Sequence, residues 1–289
     1  MEERDWQIIS TLFKEKSISK AAKILYISQP ALTSRLHQIE QDLGSIIALR
    51  TSKGLKFTPE GYFIAEAASS LLREFSQIRE RLSAMSQGIS GTLRIATSQF
   101  MIKYFLPKLL RRFKDQFPEV ELNIVSAKSK EVYGIVKRRD VHVGFVLDEL
   151  EWEEERFLLF EEPMCIVSTS EISLNDLPDL PRIEFQTNPS NKAVLDRWWQ
   201  GMFNKPPRIV MVVDILDTCH EMVRHGLGYA ILPKMIIKDD PLLHYVELKD
   251  NEGKPLVRKG WMVYCSNTCE LPIVSHFVEF VKGRDKLGI

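Results

Sequence analysis

Apolar side chains in the first sixty residues recur at helical spacing in short runs. Ser17-Ile18-Ser19-Lys20-Ala21-Ala22-Lys23-Ile24-Leu25 predicts a short helix with a serine N-cap, and its consecutive alanines leave room for a second helix to cross closely. After Tyr26-Ile27, Ser28 is a second N-cap, followed by Gln29 and by Pro30, which the first helical turn tolerates. Leu32, Leu36, Ile39 and Leu43 are spaced four, three and four, which predicts one buried stripe, and Gly44 stands where a helix C-cap glycine belongs. Two β-prone runs, Ile46–Thr51 and Leu55–Thr58, flank Ser52-Lys53-Gly54 and predict a hairpin. Residues 62–87 then form one helical pattern, in which Ile64, Ala68, Leu71, Phe75, Ile78, Leu82 and Met85 follow a heptad seam. Gly88-Ile89-Ser90-Gly91 breaks it.

Beyond Leu93 the pattern alternates between short apolar runs and amphipathic stretches. Strands are expected at 93–97, 121–125, 141–145, 164–167, 182–185, 209–213, 229–233 and 260–265. Helices are expected at 107–117, 130–139, 193–203, 218–225 and 272–282. Such alternation implies parallel strands joined by crossover helices. The plan is a head, a helical connector and a large α/β body.

Composition changes this picture little, and charge changes it more. The chain has 289 residues, enough for two or three domains, with 44% hydrophobic and 27% charged residues. Thirty-nine basic and 39 acidic residues cancel, which excludes a uniformly basic nucleic-acid coat. From Lys14 to Lys56, however, eight Lys/Arg face three acids, a local net of +5. The polar start, Met1-Glu2-Glu3-Arg4-Asp5, predicts no secretory leader, and no apolar run is long enough to span a bilayer. Four cysteines, Cys165, Cys219, Cys265 and Cys269, are expected to be reduced thiols of a cytoplasmic protein.

Two short helices joined by a tight turn form a helix-turn-helix, whose second helix enters the major groove of duplex DNA. Gln29, Thr33, Ser34, Arg35, His37 and Gln38 face outward on that helix. Glutamine can pair with adenine, arginine with guanine, and hydroxyls with bases or phosphates. The hairpin beside it would be a wing that brings Arg50, Lys53 and Lys56 to the DNA backbone. The rival reading is an ordinary helix pair that only oligomerises a small-molecule-binding or redox-sensing α/β protein. In the body, Thr97-Ser98-Gln99, Ser126–Ser129, Gln186-Thr187-Asn188 and Asp217-Thr218 place polar groups at the carboxyl ends of strands, where open sheets bind ligands. The same residues also serve as plain N-caps.

Other patterns exclude chemistry. His220 and His225 are five apart, whereas a zinc-binding helix needs four, and Arg224 occupies that place. Cys265 and Cys269 lack the second pair of a zinc site. The acidic run Asp148–Glu155 reads as solvated with Trp152 packed, and Trp198-Trp199 as one core and one half-exposed ring. No catalytic constellation is present, so neither an enzyme nor a cofactor is expected.

Ser19-Lys20-Ala21-Ala22, Ser28-Gln29-Pro30-Ala31-Leu32-Thr33, Ile39–Gly44, Arg50 and Thr58-Pro59-Glu60-Gly61 together resemble the winged helix-turn-helix of LysR-type transcriptional regulators. Gly91–Ala96, Leu106-Pro107, Phe117-Pro118 and Val223–Pro233 resemble the effector-binding domain of the same family, so the likeness runs through nearly the whole chain. It departs at Ile47-Ala48-Leu49, where the family usually has Leu-Phe and a polar residue, leaving space under the wing at Ala48.

The resemblance implies a winged helix-turn-helix domain at 1–61, a dimerising linker helix at 62–88, and at 91–289 an effector domain of periplasmic-binding-protein-like fold. Its two α/β subdomains would span about 91–162 with 267–289, and about 163–266. DNA contacts would come from Gln29, Pro30, Thr33, Ser34, Arg35, Gln38, Arg50, Lys53 and Lys56. Effector contacts would come from Ser98, Gln99, Phe100, Ser129, Thr187 and Thr218, with Lys128 beside them. Phe100, where the family often has Thr or Ser, implies a smaller or more apolar pocket. The implied partners are a partly palindromic double-stranded DNA operator, a small-molecule effector, RNA polymerase, and further copies of the chain as a homodimer or homotetramer.

Overall fold

A computed structural model of the chain describes residues 1–52, 54–87, 89–147, 152–250 and 252–283, with the backbone alone at 77, 80, 81 and 83–87. Lys53 and the Met85 side chain, both expected site residues, lie outside the described residues. The chain divides into two compact units, Met1–Gly88 and Ile89–Ile289.

The first unit opens with α1 (Glu3–Glu15), an element the sequence pattern did not delimit. Ser17 caps α2 (Ile18–Ile24) by accepting from the Lys20 amide, and Ser28 caps α3 (Gln29–Leu43) by accepting from the Ala31 amide. Gly44 ends α3 with φ of 65°, the left-handed geometry a glycine C-cap supplies. Ile9, Leu12, Ala21, Ala22, Leu32, Leu36 and Ile39 form the core shared by the three helices.

The strands β1 (Ala48–Thr51) and β2 (Gly54–Phe57) pair antiparallel as the wing. Helix α4 (Pro59–Gln87) begins directly after it, with Thr58 Oγ1 accepting from the Gly61 amide at 2.9 Å. A Cβ on Gly61 would lie 2.0 Å from the Ile47 carbonyl, so only glycine lets the helix start against the wing. At 1.5 Å per residue the 29 residues of α4 reach about 43 Å.

The second unit carries β3 (Gly91–Thr97), a π-helical turn at Met101–Phe105, α5 (Leu106–Gln116), β4 (Val120–Ser126), α6 (Ser129–Lys137) and β5 (Val143–Leu147). There follow β6 (Glu155–Ser168), β7 (Arg182–Phe185), α7 (Pro189–Met202), β8 (Ile209–Val213), α8 (Leu216–Arg224), β9 (Ala230–Pro233), β10 (His244–Glu247), β11 (Val257–Tyr264) and α9 (Pro272–Lys282). Strand β3 lies between β4 and β5, parallel to both, and β11 runs antiparallel to β5.

Strand β6 belongs to two half-sheets. Its Glu155–Pro163 portion pairs with β11, and its Met164–Ser168 portion pairs with β9 and β10. Strands β7 and β8 pair parallel, and β7 bonds to Tyr229 just before β9. The second half-sheet thus packs under α7 and α8, whereas α5 and α9 cover the first.

The pairing of β11 with β5 corrects one expected boundary: residues 257–264 lie in the first half-sheet, not with 163–266. The sequence shows an apolar strand there but not which half it joins. A second correction concerns the tryptophans. Both Trp198 and Trp199 are buried, because carbonyls of flanking loops, Lys249 and Lys205, accept from their indole N–H groups. Trp152 packs on Tyr133 as expected.

Candidate nucleic-acid interface and effector cleft

Helix α3 exposes Gln29, Pro30, Ser34, His37 and Gln38 along one side, with Thr33 half-exposed. Gln29 accepts from the Ser19 hydroxyl at 3.0 Å, which ties the start of α3 to α2. Thr33 accepts from Arg50 Nη2 at 2.7 Å, so the wing is fastened to the exposed side of α3. Lys56 is exposed on β2. Glu40 holds the approach to the wing by accepting from the Ile47 and Ala48 amides.

Arg35 differs from the expectation. Its Nε and Nη2 donate to the two oxygens of Asp5 at 2.6 and 2.9 Å, and its Nη1 donates to Gln38. Asp5 is fully buried, and the Glu2 amide donates to it as well. Burial alone would raise the Asp5 carboxyl, but the hydrogen bonds from Arg35 and the Glu2 amide outweigh it and hold the group below its ordinary value. The guanidinium fork that would read guanine is therefore spent on binding α3 to α1. Releasing it would leave a buried carboxylate unpaired, which is the reason it is not free.

The α4 seam has two environments. Ala65 and Ala68 are buried against α1, and Ile64 packs on the same core. Phe75, Ile78 and Leu82 are 39%, 53% and 61% exposed. Arg79 pairs with Glu3 of α1.

In the second unit, Ser98, Gln99, Lys128 and Ser129 follow the carboxyl ends of the adjacent strands β3 and β4. Ser129 Oγ accepts from the Leu147 amide at the end of β5. Thr187 follows β7 and accepts from the Asn191 side chain, while Thr218 lies in the first turn of α8. Gln99 and Lys128 are exposed; Ser129, Thr187 and Thr218 are half-buried. Ser98 and Phe100 are buried. Phe100 belongs to the core beneath the first half-sheet, and the Arg258 guanidinium lies 3.7 Å over its ring centroid.

Two polar links that the sequence reading missed join the halves. Glu162 of β6 accepts from Arg258 of β11 at 2.8 and 2.9 Å, and its other oxygen accepts from the Met235 amide at 2.6 Å. Asp217 at the start of α8 accepts from Lys103 at 2.5 Å and from the Tyr104 hydroxyl, both on the π turn. Burial pushes the Asp217 carboxyl up, yet the hydrogen bonds from Lys103 and Tyr104 bring it below its ordinary value. A charged residue on a buried strand face, as at Arg258, is a signal that could have been read in the sequence.

Residues 4–62 match the family of bacterial regulatory helix-turn-helix proteins of the lysR type, and residues 86–286 match the LysR substrate binding domain. The HTH-type transcriptional regulator YraN of Bacillus subtilis (strain 168), itself uncharacterized, is 34% identical over all of both chains. The chain belongs to the LysR family. A second uncharacterized B. subtilis regulator of this type, YkuM, is 30% identical over 98% of this chain and 97% of its own. The crystal structure of full-length CbnR complexed with its target DNA shares the fold, with a TM-score of 0.70 at 22% identity, covering 98% of this chain and 99% of CbnR. This LysR-type transcriptional regulator thus joins a DNA-reading head to a two-part α/β effector domain.

Three of the regulator's four thiols are buried, and Cys269 is half-buried. Burial pushes Cys165 and Cys219 up to about 12 and Cys265 up to about 11, and it raises half-buried Cys269 too. The three buried thiols are the kind that stay protonated and slow to react. Among the described residues, no helix is long and apolar enough to cross a membrane.

Proposed function

We propose that this regulator lays the exposed side of α3 in the major groove of a partly palindromic operator and transmits effector binding through its two-part domain. Gln29, Pro30, Thr33, Ser34 and Gln38 meet base edges or adjacent phosphates; Arg50 and Lys56 meet the backbone. Arg35 sets the angle of α3 through Asp5 instead of reading bases. The observation that carries this reading is the Arg50–Thr33 bond, which holds a basic wing beside the exposed start of α3.

Two heads come from pairing of the exposed α4 seam between two copies. The exposed apolar side chains of edge strand β8, Ile209, Val210 and Val212, with Val125 on edge strand β4, give further surface for a tetramer. The effector, a small molecule, is met in the cleft by Gln99, Lys128, Ser129, Thr187 and Thr218, with Ser98 and Phe100 supporting them from beneath. It acts by favouring one arrangement of the halves over another, which requires unequal affinity for the two. The protein works in the cytoplasm, where the operator and RNA polymerase are found.

Fluorescence anisotropy with labelled promoter-region duplex tests this. Lys56→Ala is expected to flatten the dependence of log affinity on log salt by about 1, on any sequence. Ser34→Ala is expected to cost about 1 kcal/mol on the operator and nothing on unrelated DNA. Affinity insensitive to salt would overturn the reading.

A further inference from the structure

Arg182 opens β7 and is buried, at 6% exposure. Its Nη2 pairs with Glu184 at 3.1 Å, and its guanidinium carbon lies 5.3 Å from the centre of the Trp199 ring. Its Nε–H, also buried, has no hydrogen-bond partner. A donor left unmade in the interior costs free energy comparable to a lost hydrogen bond, so it calls for an acceptor.

That donor belongs to a residue lining a half-open cavity of about 260 Å³ between α7 and the loop that follows it. Trp199 and Phe203 form its apolar wall, with ring centroids 4.5 Å apart, and Asp196, Gln200 and Asn204 stand around it. All these residues lie in the second half of the effector domain.

We propose that this cavity is a second ligand site, for a small monocarboxylate with a flat apolar body. The carboxylate accepts from Arg182 Nε, and the apolar body lies on Trp199 and Phe203. Several observations select this class. Glu184 already holds one edge of the guanidinium, so a single acceptor is wanted. Asp196 repels a second negative charge and Lys205, the other cation of the lining, is already paired with Asp179, which disfavours phosphates and dicarboxylates. The volume falls just below the roughly 300–1,000 Å³ usual for drug-sized ligands, so the occupant is small.

The site has a route to the cleft. Arg182 also borders a water-sized void of about 30 Å³ that reaches Thr187 at the other end of β7. A ligand held by Arg182 therefore fixes β7 against α7 and acts on the strand that presents Thr187.

The test titrates the full-length protein with 3-phenylpropionate and follows tryptophan emission, with 3-phenylpropanol as the matched neutral probe. The acid is expected to give a saturable change with a midpoint below about 5 mM, as a small ligand of this size can reach. The alcohol is expected to bind at least tenfold more weakly. Arg182→Lys, which keeps the charge but lacks Nε, is expected to weaken the acid at least tenfold. Gln200→Phe, on an exposed position, fills the mouth and is expected to abolish the change, and it decides the matter should Arg182→Lys fold poorly. No saturation by about 10 mM, equal binding of acid and alcohol, or undiminished binding in Gln200→Phe would each overturn the proposal.

Discussion

The pair Glu162–Arg258 offers a sharp stability prediction. The two residues stand directly opposite on β6 and β11, the strands at the junction of the two half-sheets. Both are buried, with side chains 4% and 7% exposed. Arg258→Met removes two hydrogen bonds and leaves the Glu162 carboxylate with the Met235 amide as the remaining partner shown here. Breaking a buried pair from one side costs about 3–5 kcal/mol, because the other charge stays uncompensated. For a unit of about 200 residues, each kcal/mol lowers Tm by roughly 2–4 °C. Arg258→Met should therefore lower the effector-domain transition by roughly 6–20 °C in differential scanning calorimetry of the full chain. Glu162→Gln combined with Arg258→Met removes the stranded charge but keeps an acceptor for Met235, and should recover at least half of the loss. A drop below about 2 °C in the single variant, or a double variant no better than the single, would refute the reasoning.

Three further outcomes are expected. The Asp5 carboxyl is held below its ordinary value, so the stability it contributes is present at neutral pH and is lost as pH falls through the folded value. Thermal melts followed by circular dichroism should therefore show a larger loss between pH 7 and about pH 3 in the wild type than in Asp5→Asn; equal losses would contradict the pairing with Arg35. Leu82→Lys places a charge on the exposed half of the α4 seam and should raise the dimer dissociation constant at least roughly tenfold in sedimentation velocity, whereas a solvated seam would leave it unchanged. Asp217→Ala cuts the bonds to Lys103 and Tyr104 and should speed amide exchange at residues 101–106 and 216–220 by roughly tenfold, with β3–β5 unaffected.

The helix-turn-helix was readable because local chemistry decides it. Ser17, Ser28 and Gly44 cap their helices whatever surrounds them, and the four-three-four spacing of Leu32, Leu36, Ile39 and Leu43 leaves one face to bury. Most body strands were readable for the same reason. What escaped was set by partners distant in the chain. Arg35 is on the outward side by spacing, and nothing near it shows that Asp5, thirty residues earlier, is buried beneath it. Strand β10, with three of its four residues exposed, has little apolar signal and exists because β6 offers it an edge. The N-terminal part of β6 follows an acidic run that looks solvated, yet it gains order from β11.

The α4 seam shows where spacing stops being informative. A heptad pattern states that a stripe must be buried but not by what. Helix α1 has 13 residues and spans about 20 Å, so it cannot cover a helix of about 43 Å. It takes the small residues Ala65 and Ala68, which permit close approach, and leaves Phe75, Ile78 and Leu82 outside. Ile64 and Ala68 toward the chain's own core and Phe75, Ile78 and Leu82 beyond it divide one stripe between two duties: the first half anchors the DNA-reading head, and the second holds apolar surface that one copy of the head leaves exposed. A substitution at Ala68 should therefore unfold the head, and one at Leu82 should separate copies of a head that stays folded.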